Sequence, residues 1–143
     1  MKFAHLLLAI TIVSFSLSAC QTQGSLSVEN AWARPGSAGS NSAVYFRIDN
    51  PTNREDTLIG ASSAAASQVE IHLSMMGADK TMAMHPQESV TVPSRGQVTF
   101  EPGGLHMMLV KLQGDLVEGE EIELTLRFRE AGEMTLQVPV EQR

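Results

Sequence analysis

Cysteine is nearly missing from this chain: Cys20 is the only one in 143 residues. No intrachain disulfide can form. A blue-copper electron-transfer site is excluded as well, because it needs a thiolate beside its imidazoles and no cysteine follows Cys20. Basic residues are outnumbered, ten Lys and Arg against sixteen Asp and Glu, for a net charge of −6. A nucleic-acid partner normally requires a basic face, so that class is set aside. No apolar run reaches membrane-spanning length; residues 6–17 come nearest and are too short. Past them no helical period of apolar residues is found. No nucleophile, base and orienting group fall into a catalytic pattern, and Ser74 is expected to face away from His72. The chain is read as a non-enzyme.

What is present begins at the amino terminus. Lys2 gives a positive start, residues 6–17 are apolar, and Leu17-Ser18-Ala19-Cys20 follows. A short apolar run, small residues and then cysteine is the order of a bacterial lipoprotein signal. The expectation is a signal peptide over residues 1–19 and lipidation of Cys20. Residues 20–26 then form a polar tether at the membrane surface, where several acyl chains hold firmly and one would not. The ordinary alternative is a signal peptide cleaved nearby, leaving a spare thiol.

Residues 27–143 make one domain's length. With 43% hydrophobic residues overall, the chain can bury a core. Residues 43–49 alternate, with Val44, Phe46 and Ile48 on one face. Residues 68–73 put Val69, Ile71 and Leu73 on one face and Glu70 and His72 on the other. Residues 121–129 and 134–140 repeat the pattern. Period two over short segments separated by Gly, Pro and Asn predicts an all-β sandwich or barrel of about seven to nine short strands. Residues 75–80 read as a hairpin loop.

The chemistry concentrates between His72 and Met108. Six of the eight methionines and three of the four histidines lie there. Thioether and imidazole together favour Cu(I) over harder ions. His106 and Met108, two apart on a strand, project from one face roughly 6.6 Å apart along the backbone. His72 lies on the polar face of its own strand, and Met84 on the return of the hairpin that starts just after it. The candidate ligands are therefore His72, Met84, His106 and Met108, holding one Cu(I). Met82 and His85 remain open as a substitute for, or addition to, Met84. Taken singly, a strand methionine is more often a gap-filler in the core, and a lone surface histidine is usually just solvated. A zinc hydrolase site is disfavoured, because thioether is a poor ligand for Zn²⁺.

These residues resemble the periplasmic copper chaperones of the PCuAC type, whose pattern is His, about ten residues, Met, twenty-one residues, then His-x-Met. Met84 and His106 enclose twenty-one residues, and His106-Met107-Met108 supplies the last element. His72 and Met84 enclose eleven, one more than the pattern; Met82 would give nine. Ala31-Trp32-Ala33-Arg34, Val69-Glu70-Ile71-His72 and residues 102–109 are also similar to the family. The resemblance implies a cupredoxin-like domain over residues 27–143. It implies a Cu(I) carrier on the periplasmic side of a bacterial membrane, delivering copper to an acceptor such as the copper centre of a terminal oxidase or its assembly factor. Some members of that family carry a His/Met-rich tail; this sequence shows none after Pro139, so a second, tail-borne Cu(II) site is not expected. Copper storage or resistance without a specific acceptor, and a structural lipoprotein whose methionines only pack, are the competing readings.

Overall fold

The computed structural model describes residues 24–143. The signal peptide, Cys20 and most of the tether lie outside the described residues. Ten strands form two sheets: β1 (Ser27–Ala33), β2 (Ser42–Asn50), β3 (Asp56–Ser62), β4 (Ala66–Met76), β5 (Met82–Gln87), β6 (Val90–Val92), β7 (Gly96–Phe100), β8 (Leu105–Leu112), β9 (Glu121–Phe128) and β10 (Gly132–Pro139). No helix occurs among the described residues.

The larger sheet runs β1-β2-β8-β4-β5, with β7 pairing the second half of β2. The smaller runs β10-β9-β3-β6. Ten strands exceed the expected seven to nine by one, and the chain changes sheets at Pro93. β6 ends on Val92 in the smaller sheet, and β7 starts at Gly96 in the larger. Between them Arg95 takes a left-handed φ of 51° and donates its N–H to the Thr52 carbonyl at 2.8 Å. Proline cannot donate to a ladder and so ends the first strand.

The inward faces of both sheets form one core. Val44, Phe46, Ile48, Ile71, Met107 and Leu109 enter it from the larger sheet; Leu58, Leu124, Leu126, Phe128 and Val138 enter from the smaller. Phe46 and Phe100 stack with ring centroids 4.4 Å apart. Leu26, assigned to the tether from sequence, is buried in this core, so the packed domain begins one residue earlier than expected. A parallel bridge from Ala33 to Val140 ties the end of β1 to the smaller sheet. On the smaller sheet, buried Asp56 accepts N–H bonds from Thr57, Glu130 and Ala131 at 2.6, 3.0 and 2.9 Å. Burial works against its charge, but the backbone donors outweigh it and hold the carboxyl below its ordinary range.

Candidate metal centre

Strand pleating sends alternate side chains to opposite faces. On the larger sheet this leaves an outer face made from the residues the core does not take. In β4 that face carries Glu70, His72, Ser74 and Met76; in β8, His106 and Met108; in β5, Met82, Met84 and Pro86; in β2, Ala43 and Tyr45. The ladders align them. His72 lies directly opposite His106 across β4 and β8, and Glu70 opposite Met108. Ser74 lies opposite Met84, and Met76 opposite Met82. Ala43 lies opposite Met108, and Trp32 of β1 opposite Tyr45.

The two imidazoles face each other, ring centroids 5.8 Å apart and planes tilted by 59°. Each has one nitrogen committed. His106 Nδ1 lies 3.1 Å from the Gly104 carbonyl, which can only accept, so this nitrogen carries the proton. His72 Nε2 lies 2.8 Å from a Glu70 carboxylate oxygen, again an acceptor. In the neutral rings, Nε2 of His106 and Nδ1 of His72 then hold the free lone pairs. His72 Nδ1 is buried and has no hydrogen-bond partner. A buried polar nitrogen without a partner is costly, which makes this atom a candidate donor to a ligand. Orientation of one imidazole nitrogen by a carboxylate or carbonyl is the usual arrangement behind a metal-ligating histidine.

His106 is buried, although it belongs to the outer face. Tyr45 lies beside it, backed by Trp32 in a second small buried cluster with Ala43. Their rings are 4.6 Å apart, and Tyr45 lies 6.5 Å from the His106 ring. A cavity of about 520 Å³ opens beside them. Tyr45, Ser74, Met82, Met84, His106 and Met108 line it, with the loop from Arg34 to Ser42 and the turn at Pro102-Gly103 as further wall. Among the described residues, no three His, Cys, Asp or Glu side chains gather as a ligand group. The soft donors lining this cavity are the His106 imidazole and the thioethers of Met82, Met84 and Met108, a set that suits a soft monovalent ion, while His72 sits beside His106 without lining the cavity itself.

The four candidate ligands therefore share one face: His72, His106 and Met108 on neighbouring central strands, Met84 on β5. The β4–β5 register is unbroken from Ile71–Gln87 to Met76–Met82. His85 lies opposite Leu73, on the other face from His72 and Met84. Met82 shares the outer face with Met84 but lies two pairs farther from His72. Two sequence expectations are corrected. Ser74 faces the same way as His72, as residues two apart on a strand must. β4 continues through Met75 and Met76, which leaves residues 77–81 as the turn. Glu70 as the partner of His72, and Tyr45, backed by Trp32, beside His106, are not evident from sequence. Glu70 and His72 spaced two apart on a polar strand face was the one available signal.

A family model described as "Putative lipoprotein LpqE-like" matches residues 26–140. "Putative lipoprotein Lxx21020" of Leifsonia xyli is 28% identical over 142 residues, 96% of this chain and 85% of that protein. Among solved structures, the copper-bound PCuAC domain from PmoF2 superposes with a TM-score of 0.70 at 30% identity, covering 84% of this chain and 95% of that one. The Cu(I) form of DR1885 from Deinococcus radiodurans gives 0.62 at 24% identity, over 88% and 84%, a likeness of fold alone. The cupredoxin-like architecture expected from the sequence is the one these domains have.

Proposed function

The chain belongs to the LpqE-like family of PCuAC-type domains, and on that premise we propose that it carries Cu(I) in the bacterial envelope. His72, His106, Met84 and Met108 hold the ion. The observation that carries the reading is the opposed imidazole pair, each ring turned by an acceptor so that one lone pair is free, with Nδ1 of His72 buried and unpartnered. The copper-bound state of the PmoF2 domain supports it.

Thioethers bind Cu(I) without losing a proton, and the imidazoles ligate as neutral rings. Binding therefore asks only that the rings not be protonated. The protein makes and breaks no covalent bond in its cargo; it exchanges ligands. An acceptor offering competing soft donors takes the ion from the exposed Met84 side, where the cavity is open. Cys20 anchors the carrier through lipid on the periplasmic side of a membrane, a reading supported by the lipoprotein descriptions of the family and of the Leifsonia relative. Delivery to a terminal-oxidase copper centre is one destination consistent with that placement.

Anaerobic titration of the purified protein with Cu(I) against a competing chelator tests the reading. One tight equivalent that outcompetes Zn²⁺ is expected. Equal affinity for Cu(I) and Zn²⁺ would rule out a soft site. Lipidation is checked separately by mass spectrometry of the amino terminus.

A further inference from the structure

Three rows of side chains cross the outer face from the centre toward the tip of the β4–β5 hairpin. The innermost is His72 and His106. Next comes Ser74 with Met84, and then Met76 with Met82. Each row is two residues beyond the last, roughly 6.6 Å along the strand. Directly opposed side chains have Cβ atoms about 4.5–5.5 Å apart, and methionine is unbranched and flexible. The thioethers of Met76 and Met82 can therefore reach one ion between them.

Packing does not explain these residues. Met76, Met82 and Met84 are 67%, 54% and 58% exposed, whereas Met107 in the core is fully buried. A single exposed apolar side chain needs no account, but three thioethers on one face of one hairpin do. The turn that sets them opposite each other is well bonded. Gly77 N–H donates to the Thr81 carbonyl at 2.8 Å, and Lys80 N–H to the Gly77 carbonyl at 3.0 Å. Asp79 accepts from the Thr81 hydroxyl and N–H at 2.7 and 3.1 Å, so that carboxylate is already engaged within the turn. The cavity that reaches His106 and Met108 is lined by Met82 and Met84 as well, so its inner and outer parts are continuous.

We propose that Met76 and Met82, with Met84 on their inner side, form a second and weaker Cu(I) site at the hairpin tip, through which the ion passes to and from the imidazole pair. The inference rests on the carrier reading above and adds to it a donor set of thioether alone. Such a site takes Cu(I) or Ag(I) and leaves Zn²⁺ and Cu(II) in solution. It gives the incoming ion a place to shed its previous ligands before the imidazoles engage.

The test is a titration of the full protein with Ag(I), a redox-inert soft ion, with methionine methyl groups observed by NMR. The first equivalent is expected to shift the Met108 methyl. A second equivalent, bound roughly tenfold or more weakly, is expected to shift Met76 and Met82. The double variant Met76→Leu, Met82→Leu keeps apolar bulk and should lose the second equivalent while the Met108 shift persists. In His72→Ala, His106→Ala the Met76 and Met82 shifts should survive. That arm separates the two ideas, since it reads the hairpin with the central site removed. The proposal is overturned if the Met76 and Met82 methyls stay unmoved in excess Ag(I), or if the leucine variant still binds the second equivalent.

Discussion

Met107 and Met108 are neighbours in the chain and belong to different chemistries. Met107 is fully buried between the sheets with Val44, Ile71 and Leu109. Met108 turns outward beside Ala43 and Glu70 and lines the cavity that His106 also lines. The same side chain is a packing element on one face and a candidate ligand on the other. What separates them is the pleat, whose period of two decides every residue of β4, β5 and β8 at once. Residue type alone therefore says little about a methionine-rich segment, and register says nearly everything.

The largest expected effect is on the inner face. Met107→Ala should cost about 2–5 kcal/mol of stability by opening a cavity, with Cu(I) affinity of the folded molecules unchanged. Chemical denaturation and titration of the same sample read both. Met108→Ala should show the reverse; comparable losses of stability in the two variants would break the contrast. Next in size, His106→Ala should weaken Cu(I) roughly hundredfold, about 2.8 kcal/mol, in chelator competition.

A control far from the site follows. Asp56→Ala leaves three backbone N–H groups without their acceptor and should cost on the order of 2 kcal/mol near neutral pH. Because the folded carboxyl titrates below its unfolded value, its contribution is complete above the unfolded value and is lost as pH falls through the folded one. Wild type and variant should therefore converge in acid denaturation, and a gap constant with pH would contradict this role. Glu70→Ala, which frees His72 Nε2, should weaken Cu(I) roughly tenfold while thermal unfolding of the apo protein barely moves. The smallest effect belongs to His85→Ala, within about threefold in Cu(I) affinity, less than ~1 kcal/mol. A loss as large as that of His72→Ala would place His85 on the wrong face.

The strands were legible because alternation is local. Val69, Ile71 and Leu73 against Glu70 and His72 defines a strand and its faces without any partner. The pairing of His72 with His106 was not, since register between segments distant in sequence is set by the whole ladder. The sequence pattern only proposed that such a meeting exists. Sequence spacing left Met84 and Met82 unresolved, and the ladder ranks them by nearness to His72. Glu70 was visible as a same-face neighbour, but its hydrogen bond depends on a side-chain conformation that alternation does not encode. Leu26 went unnoticed because one apolar residue after a polar run carries no period.

β5 lies at the edge of its sheet, bonded to β4 alone among the described strands. Pro86 within it has no N–H to offer a further strand. Almost all of β5 is exposed to solvent. Segments so sparsely held open at far less free energy than the whole fold, and their amides exchange with solvent early. β4 and β8, flanked on both sides, stay closed through such an event. On the proposed ligand set, local fraying of this one strand would withdraw Met84 and leave the imidazole pair standing, so the ion would be released one donor at a time. Hydrogen–deuterium exchange would register this as fast amides in β5 that slow when metal is bound, against slow amides in β8 throughout.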